Sequence, residues 1–230
     1  ILDEGDATLK HGLEGGTLRD RQASTLQHFR NLLNIILERK GSLLILEDGL
    51  TDLPLKLIQD MTDHRYPLDL VMNDHQASPW SVELGTGSVS AFLHQVFQAI
   101  QQNQRLIIPT DSQVFGEVIE WMIQALYPKL RVLRLDSKTA EEDWAKSLLK
   151  YPDRYLDQQQ PHVFIFSPTA ESGLNITIPI FDRVMAYLVH LETRTQHQIL
   201  NRYRLPVPRT IFTRQFGSKA SGQSLHPDRI

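Results

Sequence analysis

The sequence predicts an α/β protein built on parallel sheets with helices on both faces. Three observations lead there. Short apolar runs alternate with amphipathic stretches along the chain, the pattern of strands joined by helical crossovers. Runs such as Ser42-Leu-Leu-Ile-Leu46 and Val163-Phe-Ile-Phe166 do not alternate with polar residues, as expected of strands buried on both faces. Polar turns follow several of these runs, and in such a sheet they mark a ligand edge at the strand C-termini.

Ile1-Leu2 reads as the end of a buried strand. The chain therefore opens mid-pattern and without Met, as a fragment of a longer protein would. Leu18 to Arg39 predicts a long amphipathic helix with Leu26, Phe29, Leu33, Ile36 and Leu37 on one stripe. Gly41 closes it, and the strand Ser42–Leu46 follows. Glu47-Asp-Gly-Leu-Thr-Asp52 is a turn whose last residue caps a helix over Leu53–Met61. Tyr66–Met72 predicts a short strand. Asn73–Gly87 is polar, with Pro79, Gly85 and Gly87, and reads as an interlobe connection or irregular ribbon. A second lobe opens with a helix over Ser90–Asn103. Strands follow at Arg105–Thr110, Leu130–Leu135, His162–Phe166, Phe181–Val189 and Pro208–Thr213, with helices at Val114–Leu126, Ala140–Lys150 and Thr193–Tyr203.

With 230 residues, 41% of them apolar, the chain can fill one large core or two small ones. The absence of cysteine excludes disulfides and thiolate metal sites. No apolar run approaches the ~20 residues of a membrane span, and no signal peptide is visible. A cytoplasmic protein is expected. Residues 190–230 hold seven Lys/Arg against two Asp/Glu, a balance of +5, while the rest of the chain carries −8. Basic charge is thus gathered where an anionic ligand would sit. The nine His residues form no metal-ligand spacing, and no Gly-x-Ser-x-Gly elbow is present.

Asp3-Glu4-Gly-Asp6 is an acidic turn after a strand. In a nucleotide hydrolase one such carboxylate holds Mg²⁺ and the next polarises the attacking water. Thr110-Asp-Ser112 and Ser137-Lys-Thr139 are hydroxyl-rich turns suited to the phosphates of a single strand. Ser112 and Thr139 also sit where helix caps belong, and the two roles can coexist. Ser167-Pro-Thr-Ala-Glu-Ser-Gly-Leu-Asn-Ile176 follows a buried strand, and its Gly173, flanked by Thr169, Ser172 and Asn175, lets backbone approach a phosphate closely. Gln198 and Arg202 lie four apart on the last predicted helix and share a face, with Arg204 near its end. A guanidinium fork binds phosphate oxygens in two places at once.

In this order, Asp3–Asp6, Ser167–Ile176 and Gln198-Ile-Leu-Asn-Arg-Tyr-Arg204 resemble motifs II, V and VI of superfamily 2 helicases. The stretch from Gln104 to Phe212 resembles, more particularly, the helicase-like part of cyanobacterial plasmid replication proteins. It includes Ile108-Pro-Thr-Asp-Ser-Gln113, Arg134-Leu-Asp-Ser-Lys-Thr139, Phe181-Asp-Arg-Val184 and Gln198 through Arg209. It is similar, more distantly, to viral origin-binding helicases. The resemblance covers nearly the whole chain, and the ordered set is more specific than any one motif.

It implies RecA-like P-loop NTPase lobes. Residues 1–75 would be the back half of a truncated first lobe, 76–89 the interlobe connection, 90–216 a complete second lobe and 217–230 a polar tail. It implies ATP and Mg²⁺ between the lobes, with Glu4 and Arg202 catalytic and Asp3 on Mg²⁺. Asp3, Gly173, Gln198 and Arg204 would bind nucleotide; Ser112, Lys138, Thr139 and Thr169 would bind single-stranded DNA. Two departures stand out. Asn201 replaces the motif's Gly, and the second Arg comes one residue early, at Arg204, which leaves Arg209 as a rival. Glu47–Asp52 stands where these helicases have the interlobe-coupling motif III, but lacks its small-hydroxyl tripeptide and reads equally as a capped turn.

The implied function is the C-terminal part of an ATP-dependent DNA helicase-like plasmid replication protein, which couples ATP hydrolysis to single-strand translocation. The family implies a phosphate-binding loop upstream of Ile1. The chain itself has no Gly-x-x-x-x-Gly-Lys-Ser/Thr, so alone it is expected to be inactive. Two alternatives remain open: a non-catalytic nucleic-acid-binding or initiator module with a degenerate helicase fold, and an unrelated α/β enzyme.

Overall fold

The structure, a computed structural model, describes residues 1–3, 5–14, 18–47, 51–72, 80–85, 88–168, 174–191 and 193–213. The chain divides into two compact units, Ile1–Asp74 and His75–Ile230. Among the described residues no helix is long and apolar enough to cross a membrane.

In the first unit, β1 (Leu2–Asp3) pairs in parallel with β2 (Ile45–Leu46). Helices α1 (Gly5–Glu14), α2 (Gln22–Glu38) and α3 (Asp52–Met61) pack around Leu9, Leu33, Ile58 and Met61. Leu26, Phe29 and Leu37 of the expected α2 stripe join this core, while Ile36 is exposed. The sequence reading missed α1, whose first residue is a glycine. Gly5 is needed there because a Cβ would lie 2.3 Å from Ile45 Cγ2. A single 3₁₀ turn, Arg19–Arg21, leads into α2. At its C-terminal end Lys40, not Gly41, takes the left-handed conformation, with φ 63°. Gly41 donates its N–H to Ile36 O at 2.8 Å, and a Cβ there would approach that same oxygen.

Three expectations for this unit change. The buried strand Ser42–Leu46 reduces to two paired residues, and Leu44 and Leu46 are exposed. The cap position of α3 is Thr51 rather than Asp52, with no side-chain cap bond. Tyr66–Met72 forms no strand: Pro67 lacks a donor, no described strand pairs with it, and Val71 is 91% exposed.

The second unit is a six-stranded, all-parallel sheet in the order β3-β8-β7-β4-β6-β5. The strands are β3 (Val82–Gly85), β4 (Leu106–Pro109), β5 (Val132–Leu135), β6 (Val163–Phe166), β7 (Arg183–Tyr187) and β8 (Arg209–Phe212). Side chains alternate between two cores, as a pleated sheet requires. Leu106, Ile108, Val163, Ile165, Met185 and Phe212 pack with Phe92, Val96, Ile119 and Ile123 of α4 (Val89–Gln101) and α5 (Gln113–Leu126). On the other face Ile107, Phe164, Phe166, Val184, Ala186 and Ile211 meet Leu148, Leu156 and Ile199. Those three belong to α6 (Asp143–Lys150), α7 (Pro152–Gln159) and α8 (Thr193–Leu200). The expected α/β architecture, a parallel sheet with helices on both faces, is therefore present, and it is consistent with a RecA-like lobe.

The connection expected over residues 76–89 contains β3, an edge strand with one partner. Its Val82 and Leu84 are exposed, so it lacks the doubly apolar pattern of a buried strand. Gly85 lets it lie against β8, since a Cβ would come within 2.6 Å of the Phe212 ring. Helix α7 was also missed, although Pro152 at its start and Asp153 in its first turn are helix-opening signals.

Candidate functional site

The C-terminal edge of the sheet carries the two hydroxyl turns. Ser112 is the N-cap of α5, and its Oγ accepts from Phe115 N at 3.2 Å. Its own N–H donates to Thr110 Oγ1 at 3.3 Å. Thr139 caps no helix, because α6 begins only at Asp143. Its Oγ1 accepts from Asp136 N and donates to Arg134 O, both at 3.0 Å, which closes the turn after β5. Capping at Ser112 thus holds, and capping at Thr139 gives way to a local turn.

Lys138 is exposed but engaged: its Nζ donates to Glu117 Oε1 at 2.5 Å. The same oxygen accepts from Gln113 Nε2 at 3.2 Å. These bonds, Lys138 foremost, hold the Glu117 carboxyl below the usual carboxylate range. Arg134 of β5 lies beneath, paired with Glu120 at 2.6 Å and with Asp136. The hollow between Thr110, Gln113, Arg134, Asp136 and Ser167 leaves no room for a water-sized ligand. Within this hollow Arg134 and Asp136 are packed against each other, and the exposed charge beside it is that of Lys138.

The arginine segment lies at the other end of the sheet. Helix α8 stops at Leu200, so Arg202 does not share a helical face with Gln198 as expected. Asn201-Arg202 turns the chain, and Tyr203 pairs with Ile176 as a parallel bridge. Ile176 N–H donates to Arg202 O at 2.8 Å, and Arg204 N–H donates to Ile176 O at 3.0 Å. The end of the glycine-turn segment is thereby stitched to the arginine segment. Tyr203 is buried, and its hydroxyl donates to Phe181 O at 2.9 Å and accepts from Phe181 N at 3.2 Å. Burial, partly offset by the Phe181 bond, raises its pKa. Phe181 lies two residues before β7, which marks this as the N-terminal edge.

Arg209, the rival for a second phosphate-binding arginine, is held inside the fold. It is 1% exposed. One nitrogen donates to Tyr203 O at 2.7 Å and Leu205 O at 3.1 Å, and the guanidinium lies 3.9 Å from the Trp80 ring centroid. Desolvation lowers its pKa to about 10. It is an internal bracket for the loop between α8 and β8. Arg204, by contrast, is exposed, and among the described residues its guanidinium has no hydrogen bond or ion pair. Arg202 and Gln198 are half-buried.

Glu4, Thr169 and Gly173, and the motif III-like residues 48–50, lie outside the described residues. Asp3 is described only by its backbone, which pairs with Leu46 in β1. Among the described residues no cluster of three or more metal-ligating side chains occurs. Sequence reasoning passed over Gln113 and Glu117, although their i,i+4 spacing in the helix after the first hydroxyl turn was readable.

No family model matches the chain, and no curated protein matches it. Among solved structures it is similar to the crystal structure of the C-terminal part of Fun30 ATPase domain, at 18% identity and a TM-score of 0.40. That likeness covers 55% of this chain and 41% of the other, so this chain spans less than half of that one.

Proposed function

We propose that this chain is the downstream part of an ATP-dependent, DNA-handling helicase-like protein, whose phosphate-binding loop lies on polypeptide outside these 230 residues. The finer reading is a plasmid replication protein that couples ATP hydrolysis to translocation along single-stranded DNA. The observation that carries it is the Ile176–Tyr203 bridge. It joins the two segments that the ordered helicase-like motifs single out, and residues 176 and 203 are too far apart in sequence for a local turn to explain it.

Bound ATP–Mg²⁺ supplies the scissile γ-phosphate and its charge. The donor set suits such a group: Arg204 has an exposed guanidinium and Arg202, two residues before it, is half-buried, on a segment anchored through Tyr203. Arg202 stabilises charge developing on the equatorial oxygens, and Arg204 orients the phosphates. From the first unit, Glu4 would polarise the attacking water and Asp3 would hold Mg²⁺. Gly173 and Gln198 complete the nucleotide contacts. Ser112, Lys138, Thr139 and Thr169 would face the phosphates of one DNA strand, with the exposed ammonium of Lys138 as the charged donor among them.

A second reading is a nucleic-acid-binding or initiator module without catalysis, in which the hydroxyl turns and the exposed Lys138 at the C-terminal edge would carry the binding. The two are separated in the longer protein by Arg202→Lys. Lys keeps the charge but lacks the planar fork. The helicase reading expects nucleotide affinity to persist while DNA-stimulated turnover falls by roughly 10³–10⁵. Near-normal turnover in the variant overturns the assignment of Arg202, and absence of turnover in the parent favours the module.

A further inference from the structure

The second hydroxyl turn carries its own competitor for phosphate. Helix α5 presents Gln113, Glu117 and Glu120 at i, i+4 and i+7 toward the turn after β5. Arg134, whose side chain is 13% exposed, is ion-paired with Glu120 at 2.6 Å and with Asp136. Its distance to Glu117 is 3.9 Å, too long for a hydrogen bond. Glu117 is therefore not needed to neutralise Arg134. Its oxygen is spent on Lys138 Nζ, at 2.5 Å. Gln113 braces the arrangement from both sides, donating to Glu117 at 3.2 Å and accepting from Ser137 Oγ at 2.6 Å. Two cations here face three carboxylates, so the surface around the exposed Lys138 carries a net negative charge.

We propose that Glu117 occupies the phosphate position of Lys138 and is displaced when a DNA phosphodiester binds there, which sets the affinity of this edge for single-stranded DNA. The inference rests on the reading of the second unit as a DNA-binding lobe. Free Lys138 swings on a flexible stem, and its side chain is already 62% exposed, so exchange needs no movement of the backbone. Glu117 weakens binding twice, by holding the ammonium and by repelling the incoming anion.

The test uses the full 230-residue chain and a fluorescein-labelled oligo(dT), with anisotropy measured across a salt series. Four proteins are compared: the parent, Glu117→Gln, Lys138→Ala and the double variant. Gln keeps the size of Glu and an acceptor for Gln113. Surface ion pairs of this kind correspond to at most about a five-fold factor, so Glu117→Gln is expected to bind roughly three- to five-fold tighter. Its salt slope should steepen by about 0.7, one single-strand phosphate contact. In the Lys138→Ala background the same change should do nothing. Equal tightening in both backgrounds reports only net charge and overturns the proposal. Weaker binding by Lys138→Ala with no effect of Glu117→Gln also overturns it, but leaves the DNA-binding reading intact. No binding by any of the four overturns both.

Discussion

Removing one oxygen from Tyr203 should loosen the whole arginine segment. The Tyr203 hydroxyl is the shared partner of both backbone groups of Phe181, donating at 2.9 Å and accepting at 3.2 Å. Both residues are buried, Tyr203 at 1% exposure. In Tyr203→Phe the ring still fills the site, edge-on to the Phe181 ring as it is now. What is lost is the pairing of one buried N–H and one buried C=O. Each unsatisfied group costs about 1–3 kcal/mol, with some relief if water reaches one of them. A net loss of about 2–3 kcal/mol follows, which for a unit of this size lowers the midpoint by roughly 4–12 °C. The measurement is scanning calorimetry of the full chain. Tyr151→Phe serves as control, since Tyr151 is exposed and its hydroxyl makes no hydrogen bond among the described residues. A midpoint for Tyr203→Phe indistinguishable from the control would show that the hydroxyl faces solvent, and the anchored geometry of Arg202 and Arg204 would fall with it.

Two further outcomes are expected. Gly85→Ala should destabilise the second unit by about 1–3 kcal/mol in urea titrations, because the new Cβ meets the Phe212 ring at 2.3–2.6 Å; an unchanged midpoint would mean that β3 does not lie against β8 as described. The Glu117 carboxyl, followed by carboxyl-carbon NMR, should titrate below the ordinary Glu value and move back toward it in Lys138→Ala. Because its folded pKa is depressed, the stability it contributes is present above the ordinary Glu pKa and is lost as pH falls through the lower, folded value; an unshifted midpoint would show that the pair does not form in solution.

What was readable from the sequence follows physical signal strength. The strands β4, β6 and β7 are central in the sheet and apolar on both faces, so continuous runs betrayed them. Helices α4 and α5 each have a broad buried stripe, and their positions came within a residue or two. The edge strand β3 carries only half of that signal and was taken for a connection. Tyr66–Met72 had an alternating apolar pattern but no described partner strand, and pattern without pairing does not make a strand. At the candidate site, Ser112 as a cap was legible from local chemistry alone. The pairing of Lys138 with Glu117 was not, because it joins turn and helix across 21 positions. Nor was the burial of Arg209 against Trp80, which brings together residues from the starts of two neighbouring strands.

The segment that carries Arg202 and Arg204 leaves the helix between Gln198 and the first of them. Two arginines three apart share a face only while the backbone is helical. Here the helix has ended at Leu200, and the bridge to Ile176 holds Tyr203 in strand-like pairing. Arg202 O and Arg204 N–H both point toward Ile176, as the flanking groups of a bridge residue do. In extended backbone the side chains alternate. Tyr203 turns inward to Phe181 and Arg204 beyond it is exposed, while Arg202 sits half-buried in the turn that closes on Ile199 O. Asn201 N–H closes the last helical turn on His197 O at 3.0 Å before the chain leaves the helix. Inserting one residue between Tyr203 and Arg204 would give the Arg-x-x-Arg spacing of the motif that this segment resembles, yet in extended chain would turn the second guanidinium toward the buried side. If the two arginines act together, that insertion should abolish turnover in the longer protein while Arg204→Lys only reduces it. An insertion variant with normal turnover would mean that the pair does not share a ligand.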